Sequence, residues 1–314
     1  VGVAGVCTRG EATPIEPDTP FRISSMTKPI VAVAALALVE QCRLRLEDTV
    51  DELLPELADG QVLVDGAGPV DGPTVPAARP ITVRDVLTFR LGLGMDFARP
   101  WPQPMLEALD ERGLGAGPPA PQGPPAPDEW MARLGELPLQ YQPGERWLYH
   151  VGADVLGVLV SRAMGQPLED VLRELVLDPL DMEDTGFSGD PDRMGTCYGA
   201  DPVTGDRFVY DPPDGQWASA PAFPSGGAGL VSTVGDYVAF ARMLLAARWR
   251  PAPVPTDGRA HDHRPGGRRR PRRRPVPRRF VRLGPRGRGH PASHRLPCGR
   301  QLRMVGRYGV DLVQ

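Results

Sequence analysis

The stretch Phe21-Arg-Ile-Ser-Ser-Met-Thr-Lys28 holds the single lysine of the chain, against 35 arginines among its 36 basic residues. Arginine has replaced lysine everywhere else, so position 28 needs something arginine cannot supply. An arginine stays protonated, whereas a lysine that is desolvated or close to other cations can release its proton and act as a base. Ser25 stands three residues earlier, and positions i and i+3 share a helix face, about 5–6 Å apart at Cβ. Ser25 and Lys28 therefore read as a nucleophile and its activator. The alternative is a surface lysine near a serine by chance; with 8 serines in 314 residues, that coincidence arises about one time in forty.

The residues that follow strengthen the first reading. Ile30 to Val39 (IVAVAALALV) is almost wholly apolar, which predicts a helix from about Ser25 to Gln41 that is buried on most sides. It is shorter than the roughly 20 residues a membrane span takes. A serine and a lysine at the buried head of a core helix are costly unless they are used.

With 314 residues, 41% of them hydrophobic, the chain can bury a large core. Its net charge of −3 conceals a split: residues 248–314 carry 19 arginines and 3 acidic groups, a net of +16, while the preceding residues carry 17 basic and 36 acidic groups, a net of −19. Residues 1–247 are read as one domain and 248–314 as an Arg/Pro-rich tail. Cys7, Cys42, Cys197 and Cys298 are widely spaced, and His261 and His263 lack suitable partners, so no metal and no cofactor is expected. No signal peptide is visible, although the chain begins with Val1; the compartment stays open, with the cytoplasm favoured.

Val1 to Val6 is expected to be the remnant of a strand. Residues 60–80 are rich in Gly, Pro and Asp and read as a loop, followed by a short helix within Ile81 to Phe89 capped by Thr82. Gly113 to Pro127 (GLGAGPPAPQGPPAP) is excluded from regular structure and reads as a surface insertion or a lid edge. Helical spacing returns at 128–136, 154–164 and 168–177. Residues 198–224 alternate turns with short possible strands, and the glycine-rich Ser225-to-Thr233 stretch leads into a helix from Gly235 to Ala247 capped by Thr233.

A serine hydroxyl needs a base nearby. Residues 1–247 contain one histidine, His150. It directly follows Tyr149, so if Tyr149 faces the pocket from a strand or turn, His150 is expected to point elsewhere, exposed or satisfied. Tyr149 is the better third member, since a phenol beside an ammonium can take up the serine proton and pass it on. On residue chemistry alone, a core tyrosine bonded to backbone fits equally well.

Ser25-Met-Thr-Lys28 within its Phe21-to-Pro29 context, Pro143-Gly-Glu-Arg-Trp-Leu-Tyr149 followed by Asp154-Val-Leu-Gly157, Pro179-Leu-Asp-Met182 through Phe187, and the Ser225-to-Thr233 stretch before Asp236-Tyr-Val-Ala-Phe-Ala-Arg-Met-Leu244 occur in one order. Together they resemble the serine β-lactamase and penicillin-binding-protein superfamily, and within it the class C-like esterases called family VIII carboxylesterases. The resemblance covers residues 1–247. It implies an α+β fold, an antiparallel sheet flanked by helices with a mainly helical subdomain. It also implies acylation of Ser25, general-base roles for Lys28 and Tyr149, and half of the oxyanion hole from the Ser25 amide. Gly226 and Gly227 would let backbone approach the substrate, as would Gly229, although a plain turn before a helix fits these glycines too. Asp154 would border the pocket or, preferably, cap the helix that follows. Val151 occupies a substrate-side position where β-lactam- and peptide-cleaving members carry an asparagine, which favours esters.

The resemblance also implies a Lys-Thr-Gly or His-x-Gly element near the C-terminus, lining the site and supplying the second oxyanion amide. No second lysine exists and Gly289-His290-Pro291-Ala292 lacks the glycine, so the C-terminal strands are expected to be missing or disordered. Three readings compete for residues 248–314: a tail for nucleic acid or anionic surfaces, a solvated tail without a partner, and the favoured one, a slipped reading frame in a GC-rich gene. The expected function is hydrolysis of small or medium acyl esters, with β-lactam hydrolysis or acyl transfer as variants. A small-molecule ester is the expected partner, without nucleic acid and without a membrane span. The competing class is an inactive hydrolase with a basic tail.

Overall fold

The structure, a computed structural model, describes residues 2–246 except 116, 202 and 203. The arginine-rich segment and the expected C-terminal strands lie outside the described residues.

Strand β1 (Phe21–Arg22) runs into a 3-10 turn (Ser24–Met26) and helix α1 (Thr27–Glu40). A short hairpin of β2 (Gln61–Leu63) and β3 (Thr74–Pro76) precedes helices α2 (Val83–Leu87), α3 (Pro104–Glu111), α4 (Pro127–Gly135) and α5 (Val151–Met164). Helix α6 (Leu168–Leu172) then continues as a π turn (Arg173–Leu177). Strands β4 (Cys197–Ala200) and β5 (Arg207–Asp211) pair with each other, and β6 (Val231–Ser232) leads into α7 (Val234–Leu245). Among the described residues the strands form three antiparallel pairs, β1 with β6, β2 with β3 and β4 with β5. Helices and short antiparallel strands together make the expected α+β class.

The core is built on α1 and α5. Helix α1 buries Ile30, Val31, Ala34, Ala35 and Leu38, and α5 buries every residue from Val151 to Val160. A helix apolar nearly all round belongs inside a protein, and α1 packs against α5, which packs in turn against α2 and α6. Gly157 permits that packing, because a Cβ there would lie 2.9 Å from Leu168 Cδ2 and 3.4 Å from Gly226 Cα. Both expected N-caps form: Thr82 Oγ1 accepts from Asp85 N at 3.2 Å and Thr233 Oγ1 from Asp236 N at 3.2 Å.

Four expectations are corrected. The N-terminal segment makes no strand among the described residues; Val6 forms an isolated bridge to Pro14. The loop expected at 60–80 contains the β2–β3 hairpin, ordered from outside itself, since Leu63 N donates to Leu139 O at 2.8 Å. Helix α3 lies in a region the apolar spacing had not marked, and buries Met105, Leu106, Ala108 and Leu109. The described part of the proline-rich segment is irregular up to Ala126, where Pro127 opens α4, yet it is packed: Trp130 Nε1 donates to Leu114 O at 3.1 Å and the Tyr210 hydroxyl to Pro119 O. Among the described residues, no helix is long and apolar enough to cross a membrane.

Candidate active site

Ser25 sits on the 3-10 turn between β1 and α1, and two ties hold that turn. Ile23 N donates to Leu230 O at 3.0 Å, and Leu230 N donates to Thr27 Oγ1 at 3.1 Å. The β1–β6 pairing thus fixes the turn that carries Ser25 against the glycine-rich stretch. Ser24 takes φ 45°, a left-handed conformation that a residue with a side chain adopts at some cost. Ser25 itself is exposed, whereas Lys28, one turn further, is 8% exposed. The serine faces solvent while the lysine is withheld from it.

Lys28 Nζ lies 3.0 Å from Ser25 Oγ, 2.6 Å from Gly227 O and 3.4 Å from His150 Nδ1. It also sits over the Tyr149 ring, 4.6 Å from the centroid. Burial pushes the Lys28 ammonium below the usual lysine range, although Tyr149 and Asp154 partly restore it. Desolvation disfavours the charged form of an amine, so this lysine is suited to act as a base. The Tyr149 hydroxyl donates to Ser25 Oγ at 2.8 Å. Ser25, Lys28 and Tyr149 are therefore assembled around one oxygen, and the alternative of a tyrosine bonded to backbone is not what the geometry gives.

His150 departs from the expected orientation. Its φ of 80° and ψ of −70°, with Val151 N donating across it to Tyr149 O at 3.2 Å, make a γ-turn of the rare, strained type. The turn breaks the strand-like alternation, so Tyr149 and His150 both face Lys28. The His150 side chain is 13% exposed, and its Nε2 lies 3.4 Å from Asp154 Oδ2. Burial and then Lys28 push the imidazole below the ordinary histidine range, opposed by Asp154 and by the Gly115 backbone.

Asp154 closes the first turn of α5 and is 4% exposed; it makes no cap, since α5 has no side-chain cap hydrogen bond. Its Oδ1 accepts from Gly227 N at 2.9 Å and from the Ser225 hydroxyl at 2.6 Å. Asp154 thereby anchors the loop whose Gly227 carbonyl holds Lys28. A Cβ on Gly227 would stand 3.0 Å from both Asp154 oxygens, and one on Gly226 2.4 Å from Ala153 O. Gly227 thus reaches the site, whereas Gly226 packs the loop onto α5. Val151, expected on the substrate side, is 3% exposed within the core, because its position on α5 faces inward. A cavity of about 30 Å³ lies beside His150 and Asp154, walled by Leu114, Pro119, Pro121 and Phe223.

Sequence reasoning missed an aromatic wall beside Ser25. Phe97 is 62% and Trp147 43% exposed, and their rings lie 5.3 and 5.7 Å from that of Tyr149. Met95 and Tyr149 form an antiparallel bridge, so Phe97 and Trp147, each two residues away, stand on the same face as Tyr149. The two-residue spacing from Trp147 to Tyr149 was the available signal. Among the described residues, no group of His, Cys, Asp and Glu could hold a metal ion.

Comparison with known proteins places the chain in a family. A family model described as Beta-lactamase matches residues 2–293. A Mycobacterium tuberculosis protein, Rv1367c, is 41% identical over 235 residues, covering 74% of this chain and 55% of that protein. Esterase EstB of Burkholderia gladioli is 35% identical over 270 residues, covering 80% of this chain and 62% of the esterase. The chain thus spans little more than half the length of these relatives. Among solved structures, EstCE1, described as a hydrolase with promiscuous acyltransferase activity, superposes with a TM-score of 0.62 at 27% identity, covering 78% of this chain and 64% of that one.

Proposed function

Because the chain belongs to the beta-lactamase family, we propose that it hydrolyses carboxylic esters of small or medium acyl groups through an acyl-enzyme on Ser25. One observation carries the reading: an exposed serine oxygen lies 3.0 Å from a buried amine and 2.8 Å from a tyrosine hydroxyl. Esterase EstB among the relatives supports it.

Ser25 Oγ attacks the ester carbonyl carbon while its proton moves to neutral Lys28, and the carbonyl electron pair moves onto oxygen. The tetrahedral intermediate collapses, breaking the bond to the alcohol oxygen, which takes its proton through Tyr149. Water then attacks the acyl carbon, passes its proton to the Lys28–Tyr149 pair and releases the acid, returning Ser25 as a hydroxyl. Phe97 and Trp147 present an apolar face to the substrate beside Ser25.

Acyl transfer is the same chemistry with an alcohol replacing water in the second step, and the description of EstCE1 favours keeping it as a second reading. The test is turnover of p-nitrophenyl acetate and butyrate, with a fluorophosphonate probe for the serine. Ser25→Ala is expected to abolish turnover and labelling together; labelling of Ser25→Ala at the wild-type level overturns the proposal. An added alcohol that diverts product from acid to new ester identifies transfer.

A further inference from the structure

Behind Lys28 lies a buried pair, His150 and Asp154, for which the proton transfers above have no use. A neutral lysine amine has two N–H groups and one lone pair. The Gly227 carbonyl, 2.6 Å from Nζ, can only accept, so it takes one N–H. His150 Nδ1, at 3.4 Å, takes the other only if the imidazole proton is on Nε2. Nε2 lies 3.4 Å from Asp154 Oδ2, an ion-pair distance rather than a formed hydrogen bond, and the carboxylate charge favours a proton on that nitrogen. The lone pair is then left for the Ser25 hydroxyl. In the opposite tautomer Nδ1–H would claim the lone pair and turn an N–H toward Ser25.

We infer that Asp154 is a positioning residue which, by fixing the tautomer of His150, aims the lone pair of Lys28 at Ser25. The inference rests on the proposed esterase reading for its kinetic consequence, but the tautomer can be observed apart from it. Tyr149 is engaged with Ser25, while the Ser225 hydroxyl and Gly227 N occupy the other Asp154 oxygen. The Gly115 backbone also accepts a hydrogen bond from the imidazole, on the side of the cavity that His150 and Asp154 share.

Asp154→Asn tests this with a single-atom change. Its remaining oxygen keeps the bonds from Gly227 N and Ser225, while an NH2 donor replaces the oxygen facing His150 and favours Nδ1–H. With p-nitrophenyl butyrate, kcat is expected to fall about 100-fold with KM within about twofold. In a His150→Ala background the same change is expected to alter kcat by less than about twofold, because the two residues act as one unit. An equal fall in both backgrounds overturns the inference, since Asp154 would then act through the glycine loop. Nitrogen-15 NMR of the imidazole, assigned by comparison with His150→Ala, is expected to show Nε2–H in the wild type and Nδ1–H in Asp154→Asn. A wild-type Nδ1–H tautomer overturns the inference whether or not the protein turns over esters. An Nε2–H tautomer that switches in Asp154→Asn, without ester turnover by the wild type, upholds the inference and removes the esterase reading.

Discussion

Lys28 is where the chemistry and the energetics of this chain meet. On the proposed reading Lys28 must lose its proton to act, which makes kcat/KM rise with pH through its folded-state pKa, held below 10.5 by burial. The acid limb of the pH–rate profile is therefore expected below the ordinary lysine range, and a limb at or above that range contradicts a buried base. Lys28→Arg, permanently protonated, is expected to lower kcat by about 100-fold or more, read with p-nitrophenyl butyrate. The same burial has a cost in stability. Below the folded pKa both states hold the proton and the desolvation penalty is fully present; it is relieved as pH rises from there toward 10.5, where the unfolded state binds more protons. Lys28→Met is expected to raise Tm at pH 7 and to flatten that pH dependence, measured by calorimetry across pH 6–10. The lone lysine made this residue legible in the sequence. His150 was not, because its positive φ is imposed by the junction between the Met95–Tyr149 bridge and α5, which no local preference of histidine announces.

At the scale of elements, legibility followed locality. Helices α1, α5 and α7 were foreseeable because their apolar runs are long, and the caps Thr82 and Thr233 because a capping side chain acts on backbone a few residues away. Strands β2 and β3 were not, since Leu63 and Val62 are ordered by Leu139 across the fold. The α2 capping box shows how local chemistry becomes stability. Asp85 Oδ2 accepts from Thr82 N at 2.9 Å and Thr82 Oγ1 at 2.7 Å, and Arg79 Nη1 donates to the same oxygen at 2.6 Å. Burial pushes the Asp85 carboxyl up, but Arg79 and Thr82 outweigh it and hold it below 3.8. A lowered carboxylate contributes stability that is present above its unfolded pKa and is lost as pH falls through the folded value. Asp85→Ala is expected to cost about 1–3 kcal/mol at pH 7, about 2–4 °C of Tm per kcal/mol for a domain of 150–250 residues. Its deficit relative to wild type is expected to shrink toward pH 3; a deficit that stays constant with pH contradicts the capping-box account.

Across the described residues, the turn that carries Ser25 depends on a contact that spans most of the sequence. Arg22, three residues before Ser25, donates from Nε and Nη2 to Asp211 Oδ2 at 2.7 and 2.5 Å. The two side chains are 7% and 2% exposed. Arg22 also donates to Gly195 O and Pro212 O, both at 2.8 Å, and lies over the Trp217 ring. One guanidinium thus ties β1 to β5 and to the turn before β4. No spacing in the sequence pairs residues 22 and 211; such a bond is visible only once the chain has closed on itself. A buried ion pair adds little over an apolar pair of similar volume, but removing one partner leaves a charge without compensation, a loss of about 3–5 kcal/mol. Asp211→Ala is therefore expected to lower stability by about that amount in urea unfolding and to lower ester turnover as β1 shifts the turn that carries Ser25. Arg22→Met combined with Asp211→Leu is expected to recover most of the stability, because no buried charge is left unpaired. If Asp211→Ala unfolds at the wild-type urea concentration, this tie does not hold Ser25 in place, and the β1–β6 pairing with the Thr27–Leu230 bond must suffice alone.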